Sequence, residues 1–166
     1  GEVAGFPDIE TLFLLEPSLV ENAPGDGADE RASEAIDAVA TATDADVVLQ
    51  PYWGALDEKV HAHVLDADVD ALGYDLVSDP DATVYNVQEY GTKDDVALGL
   101  VDGQNTLVES PETITERIDW FTEQVPAQDF GTIYATANTE LFYLPVNKFE
   151  AKLDALGAVE RAEVTA

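Results

Sequence analysis

The sequence of 166 residues contains no cysteine and no methionine, and it has only seven basic residues. The absence of cysteine excludes disulfide bonds and thiolate metal sites. Because the sequence also lacks a methionine at which translation begins, we expect it to be a processed or partial piece of a longer protein. No apolar run is long enough to cross a bilayer, and nothing resembles a signal peptide. These absences predict a soluble, cytoplasmic protein.

Acidic residues outnumber basic residues by 35 to 7, which gives a formal net charge of −28 at neutral pH. Such a surface repels nucleic acid and anionic membranes, so neither is expected as a partner. Hydrophobic residues still make up 46% of the chain, which argues against disorder. The acids are spread along the whole sequence. This spread favours adaptation to high salt over an acidic patch that binds cations or a basic partner, and both interpretations stay open.

Apolar segments alternate with segments of helical periodicity along the chain. The predicted strands are Thr11–Leu15, Asp46–Gln50, Ala71–Val77, Val96–Val101 and Thr132–Ala137. The predicted helices are Asp29–Thr43, Leu56–Leu65, Ala82–Tyr90 (a helix or a loose turn), one capped by Ser110, and one opened by Asn147 with Glu150 as capping-box partner and Phe149, Leu153 and Leu156 facing inward. This alternation predicts an α/β fold of parallel βα repeats, in a single domain that covers residues 1–166.

Polar residues lie at or just after the carboxyl end of every predicted strand, where parallel α/β folds place their sites. The candidate substrate-binding residues are Glu16, Gln50, Tyr52, Trp53, Asp75, Asp102, Asn105 and Asn138. Asp-Gly and proline-containing segments are also ordinary turn formers, so a single cluster is explained equally well as a turn. Five clusters together favour a site. The rings of Tyr52 and Trp53 suit stacking on a flat ring such as a pterin, or packing at the rim.

The chain contains two histidines, His61 and His63, within one predicted helix. Residues two apart point to different faces of a helix, whereas metal ligands on a helix lie three or four residues apart. We therefore predict surface or interface histidines, and no metal site.

Four segments in order resemble the cobalamin-independent methionine synthase family. They are Glu16-Pro17-Ser18-Leu19 after TLFLL, VVLQPYWG with the later GYDLV, ALGLVDGQN, and IYATANTELFYLPVNKFEAKLDAL. The likeness runs from about Ile9 to Leu156. The resemblance implies that the five strands are strands four to eight of a (β/α)₈ TIM barrel, which makes the chain the carboxyl-terminal part of such a barrel.

The zinc ligands of the family's catalytic barrel are a His and a Cys after the fifth strand, a Glu on the sixth strand and a Cys after the eighth. At the similar positions this chain has residues 49–52, Asp75, and Thr139 or Glu140. The resemblance therefore implies the family's non-zinc barrel, with no cofactor in this chain. Zn²⁺ is expected only if the chain pairs with a zinc-bearing catalytic barrel.

The resemblance implies methyl transfer from 5-methyltetrahydrofolate, or a related donor, to homocysteine in methionine biosynthesis. This chain would supply a rim of binding residues, and no catalytic residue is assigned. The expected partner is a second methionine-synthase-like polypeptide or a second copy of the chain. The alternative is a non-catalytic binding or assembly module. Three arginines, all in predicted helices, are too few to suggest a porphyrin carboxylate as substrate.

Overall fold

The computed structural model describes residues 5, 9–25 and 27–159 of the chain. Within these ranges the elements are β1 (Thr11–Leu15), α1 (Ser18–Glu21), α2 (Asp29–Ala40), β2 (Asp46–Gln50), α3 (Glu58–Leu65), β3 (Ala71–Asp75), α4 (Pro80–Tyr90), β4 (Asp95–Val101), α5 (Pro111–Gln124), β5 (Ile133–Ala137) and α6 (Val146–Gly157). The predicted alternation of strands and helices is confirmed, and α1 is an addition to it. None of the described helices has the length and apolarity needed to cross a membrane.

The described strands form one parallel sheet in the order β1-β2-β3-β4-β5. The ring of Phe13 on β1 lies edge-on against the ring of Tyr134 on β5, with 5.7 Å between the ring centroids. Because β1 and β5 are the two outer strands, this contact requires that the sheet curls until its edges approach. The fold is therefore a partial α/β barrel, as the resemblance implies.

The two faces of the sheet bury different side chains, because successive residues of a strand point to opposite sides. Val47 and Leu49 belong to the large apolar core that the helices share. Val48 and Ala97 lie on the concave side, where Tyr134 packs against them. The central strands are thus buried on both faces, which explains their continuous apolar runs.

The curled sheet is open at its two outer strands. In the described part of the chain, β1 and β5 each pair with one neighbouring strand. On the concave side of β1, Phe13 is 40% exposed and Leu15 is 47% exposed. Unpaired strand edges beside exposed apolar side chains are surfaces that proteins usually cover.

The predicted cap of α5 is confirmed, and the predicted cap of α6 is wrong. The Ser110 side chain caps α5 by accepting a hydrogen bond of 3.3 Å from a backbone N–H three residues on, so this prediction is confirmed. Helix α6 begins at Val146 after Pro145, and none of the described side chains caps it. The predicted capping box of Asn147 and Glu150 is therefore wrong. The Pro145 carbonyl oxygen accepts the first helical hydrogen bonds, so the helix starts one residue early.

Three smaller differences concern ends and faces of elements. Strand β3 ends at Asp75, two residues before its predicted end, because the Asp75 carboxylate accepts hydrogen bonds from the N–H groups that follow. Helix α2 ends at Ala40, three residues early. Helix α6 buries Lys152, whereas Leu153 is 45% exposed, so the predicted inward position of Leu153 is wrong.

Candidate functional site

The carboxyl ends of the five strands, with the residues that directly follow them, form one rim of the sheet. A hydrogen-bonded pair, Asn138 and Asp75, lies at its centre, at the ends of β5 and β3. Asn138 is 2% exposed and Asp75 is 0% exposed. Asn138 Nδ2 donates to Asp75 Oδ2 at 3.3 Å and to Ser78 Oγ at 3.1 Å. Asn138 Oδ1 accepts from the N–H of Gly103 at 3.0 Å. One amide therefore joins the ends of three strands, and the sequence analysis did not identify Ser78 as part of this group.

Two glycines make this close approach possible. A Cβ added at Gly99 on β4 would lie 2.7 Å from the Cα of Asn138, and one at Gly103 would lie 2.7 Å from the carbonyl oxygen of Glu140. Any larger residue would push the end of β5 away from β4. The glycines therefore fix where the Asn138 amide sits, although in the sequence each reads as an ordinary strand or turn glycine.

Asp75 has its carboxylate oxygens occupied by the protein itself. Its Oδ1 accepts from the N–H groups of Val77 at 2.7 Å and Ser78 at 2.9 Å, and its Oδ2 accepts from Asn138. A carboxylate with these donors is satisfied as a structural group. Asp75 and Asn138 therefore shape the rim, and they offer a ligand little free hydrogen-bonding capacity.

The Asp-Gly-Gln-Asn segment after β4 is largely a set of local turns. Asp102 Oδ1 accepts from the N–H of Gln104 at 2.8 Å, and the exposed Asn105 accepts from the N–H of Leu107 at 2.9 Å. These bonds between a side chain and the backbone two residues on are Asx turns. The turn interpretation thus explains both side chains, and Asn105 does not join the buried cluster.

A buried ion pair holds this segment against α6. Lys152 Nζ is 2.6 Å from Glu109 Oε2 and donates to the carbonyl oxygen of Leu107 at 2.5 Å, and the Lys152 side chain is 0% exposed. Glu109 Oε1 accepts from the N–H of Asp102 at 2.9 Å. Arg117 lies farther away, with 3.9 Å between its Nη1 and Glu109 Oε1. The pair was not expected, because a lysine in an amphipathic helix usually lies on the surface.

Gln50 and Trp53 lie at the end of β2 and differ from the other rim residues. Gln50 is 1% exposed, and neither polar atom of its side chain has a hydrogen-bond partner among the described residues. The indole Nε1 of Trp53 is also buried, and it too lacks a partner within the described ranges. The backbone N–H of Trp53 donates to the carbonyl oxygen of Asn138 at 3.4 Å. This bond connects the turn after β2 to the residue that follows β5.

Trp53 adopts an uncommon backbone conformation, with a φ of 69°. A bulky residue with positive φ is an outlier that costs roughly 1–3 kcal/mol and is found mainly at functional sites. The next residue, Gly54, has a φ of 131°, which only glycine adopts readily. The turn after β2 is therefore strained where it passes over the rim.

Tyr52 and Glu16 complete the predicted set. Burial raises the pKa of the Tyr52 phenol, and the nearby Glu140 carboxylate adds to this effect. Tyr52 therefore stays a neutral donor over the whole physiological pH range. The Glu16 carboxylate accepts hydrogen bonds from both the N–H and the hydroxyl of Ser18, at the start of α1. Glu16 is thus tied to its own turn and does not contact the Asp75 cluster through any described hydrogen bond.

His61 is buried, so the prediction of a surface or interface histidine is wrong for it. Its Nε2 lies 3.0 Å from Tyr74 Oη, and burial lowers its pKa from 6.5 to about 4. It shares the inward face of α3 with Val60 and Val64, which are apolar neighbours at helical spacing. His63 is partly exposed and lies 3.6 Å from Asp29 Oδ2.

The side chains at the rim do not fit a zinc ion held by His, Cys and Glu ligands. The sequence has no cysteine, and His61 is packed among aromatic rings behind the sheet. The oxygens of Asp75 already accept N–H groups of the protein. Within the described part of the chain, no three His, Asp or Glu residues are placed to hold a metal ion together.

Comparison with known proteins finds a likeness in fold alone. No protein-family model matches the sequence, and no curated protein does. The structure is similar to that of a B12-independent methionine synthase from Shewanella sp. W3-18-1, solved in complex with selenomethionine, with a TM-score of 0.68 and 16% sequence identity. The match covers 95% of this chain and 48% of the solved chain, so the chain spans about half the length of the structure that it matches.

Proposed function

We propose that this chain is the non-zinc part of a methionine-synthase-like barrel, which takes part in methyl transfer from a folate-type donor to homocysteine. The observation that carries the proposal is the rim. Five parallel strands of a methionine-synthase-like fold end in polar and aromatic side chains, and the Asn138 amide joins three of these ends. Open α/β folds and α/β barrels use this edge for their ligands.

The role of the chain in this reaction is binding rather than chemistry. A homocysteine sulfur needs a group that lowers its pKa, and the rim lacks the thiolate and imidazole ligands with which a zinc ion does this. The neutral Tyr52 phenol and the Trp53 ring are suited to hold a flat methyl donor. A zinc-bearing polypeptide must therefore supply activation of the thiol.

The open edges support a larger assembly. A closed barrel has no unpaired edge strands, whereas β1 and β5 are both open in the described structure. The exposed Phe13 and Leu15 face the same concave side. Further βα units would cover these side chains, and a second methionine-synthase-like polypeptide is the partner that fits.

Calorimetric titration in molar salt tests the proposal. 5-Methyltetrahydrofolate is expected to bind at one site per chain, and methionine should form when homocysteine and a zinc-bearing methionine-synthase-like polypeptide are added. Tyr52→Ala should weaken binding of the donor. Tyr85→Ala, which removes an exposed ring from α4, is the matched control and should leave it unchanged. Absence of donor binding, both alone and with the added polypeptide, would overturn the proposal.

A non-catalytic assembly module is the second candidate, and a specific observation favours it. Three rim side chains form their hydrogen bonds within the protein itself; they are Asp75, Asn138 and Asp102. The edges of the outer strands are unpaired in the described structure, and Phe13 beside them is exposed. Light scattering across a range of protein concentrations distinguishes the two functions. Stable self-association without binding of the methyl donor would support the assembly module, and a donor-binding monomer would contradict it.

A further inference from the structure

The most unusual polar group on the concave face is the side-chain amide of Gln50. It is 1% exposed, and both its Oε1 and its Nε2 lack partners among the described residues. Trp53 Nε1, three residues further along, is in the same state within the described ranges. Buried polar groups are nearly always hydrogen-bonded, because each one without a partner destabilises the fold. Three such atoms at one strand end indicate a place where a partner is meant to bind.

We propose that the Gln50 amide is the floor of a site that binds the lactam edge of a flat heterocycle, with Trp53 beside it. A carboxamide presents an acceptor and a donor side by side in one plane. Its complement is a group with an N–H next to a C=O, which a cyclic amide provides. A carboxylate or phosphate would leave Oε1 without a donor, and an ammonium group would leave Nε2 without an acceptor.

The packing of Gln50 defines the depth of this site. A Cβ added at Gly73 on β3 would lie 2.5 Å from Gln50 Oε1. The amide therefore lies flat across β3, in the space that a side chain at Gly73 would fill. Gly73 precedes Asp75 by two residues, so the amide lies one inward-facing position below the Asp75–Asn138 pair. The Asp75–Asn138 pair therefore lies at the mouth of the proposed site, and the Gln50 amide is the group that would form hydrogen bonds with the ligand.

Residues 51–54 form the turn that directly follows Gln50 in the chain. Among the described residues, the Trp53 N–H ties this turn to β5 by a long hydrogen bond of 3.4 Å to the Asn138 carbonyl oxygen. The positive φ of Trp53 adds backbone strain. The proposal requires that this turn adjusts when the ligand binds, so that the Tyr52 and Trp53 rings can stack on a heterocycle held by Gln50.

The inference deepens the proposed function by naming how its site holds the donor ring, and it rests on that function for the choice of probe. The probe is 6-methylpterin, which has the lactam edge but no transferable methyl group. Titration calorimetry in molar salt should show one binding site in the wild-type protein. Gln50→Leu should weaken binding by at least about tenfold, the factor expected for loss of hydrogen bonds to a buried edge. 3,6-Dimethylpterin, whose lactam N–H is blocked, should show the same loss with the wild-type protein.

Gln104→Leu is the matched control, because Gln104 is an exposed glutamine on the same rim. It should bind 6-methylpterin as the wild type does. Without ligand, Gln50→Leu should raise the melting temperature, since it removes two buried atoms that lack partners. Trp53→Phe keeps an aromatic ring but removes the indole N–H donor. It should weaken binding, and it serves as the second variant if Gln50→Leu does not fold.

Two results would overturn the inference: failure of 6-methylpterin to bind the wild-type protein, or binding to Gln50→Leu that equals binding to the wild type. If Gln50→Leu does not fold, equal binding by the wild type and Trp53→Phe would overturn it instead. The proposed function fails separately. If the ring binds through Gln50 but no methionine forms with any zinc-bearing polypeptide, the lactam site stands and the methyl-transfer proposal falls. If methionine forms while the Gln50→Leu protein binds the ring normally, the opposite conclusion holds.

Discussion

Protonation of His61 should destabilise the protein as the pH falls. The imidazole is fully buried, with its Nε2 3.0 Å from Tyr74 Oη. The Tyr74 hydroxyl donates to Thr92 Oγ1 at 2.7 Å, so it accepts from His61, and the neutral ring carries its proton on Nε2. Nδ1 has no partner in the described part of the chain. A second proton would therefore create a buried charge without an acceptor.

The pKa of His61 sets the size and the pH range of this effect. Burial lowers the pKa from 6.5 in the unfolded chain to about 4 in the folded chain. Between these values the unfolded chain binds the proton and the folded chain does not. Stability is therefore full above about pH 6.5 and falls as the pH drops toward about pH 4. The linkage gives a loss of about 2 kcal/mol at about pH 5 and about 3 kcal/mol at about pH 4.

Urea unfolding in molar salt, at pH values from about 4 to about 7.5, measures this loss when the wild type is compared with His61→Phe. Phenylalanine removes the titrating group and leaves Tyr74 bonded to Thr92. Carboxylates titrate in both proteins, so their contribution cancels in the difference. His63→Gln is the comparison variant, because it removes the partly exposed imidazole and leaves the buried one in place, so the loss that depends on His61 should remain in it. A difference between wild type and His61→Phe that stays constant with pH would refute the buried neutral imidazole.

The ion pair, the contact between two strands and the surface charge each predict a further change. Lys152→Met removes the ammonium group nearest to the buried Glu109 and should lower the unfolding free energy by about 3–5 kcal/mol. Adding Glu109→Leu to this variant should restore most of the loss. Urea unfolding that shows an equal loss in the single and the double variant would contradict the pairing. Gly99→Ala places a Cβ 2.7 Å from Asn138 Cα and should lower the melting temperature by several degrees, whereas Gly157→Ala, whose Cβ would meet none of the described atoms within 4 Å, should not. Transfer from molar salt to about 0.1 M salt should lower the melting temperature, because the net charge of −28 is then poorly screened; an unchanged value would remove the case for salt adaptation.

The strands could be predicted from the sequence because their signal is local. A strand buried on both faces, such as β2, is a short run of apolar residues. β1 is an equally apolar run although its concave face is partly exposed, and the predicted bounds of both strands match the structure at both ends. Helix ends were harder, since they depend on which group accepts or donates the terminal hydrogen bonds. Serine is a common N-cap residue, so Ser110 marks the start of α5 in the sequence. The start of α6 is set by the backbone of Pro145, which no side-chain pattern indicates.

The site could be predicted only as a list of polar strand ends. The contacts that sort these residues join positions far apart in the chain, such as Asn138 with Asp75 and Lys152 with Glu109. No local pattern reports such a pairing. The buried state of His61 was missed for the same reason, because its partner Tyr74 lies on another element.

The distinction that matters for function is between rim side chains that are satisfied and those that are not. Asp75 and Asn138 look like binding residues in the sequence, because acids and amides at strand ends often contact ligands. In the folded chain they bind each other and the backbone, so replacing them would damage the rim itself. Gln50 looks less reactive, yet both polar atoms of its buried amide lack a hydrogen-bond partner in the described structure. Unfolding measurements should show a gain in stability for Gln50→Leu and a loss in stability for Asn138→Leu. This result would show that the fold does not need the Gln50 amide, whereas the Asn138 amide holds the strand ends together.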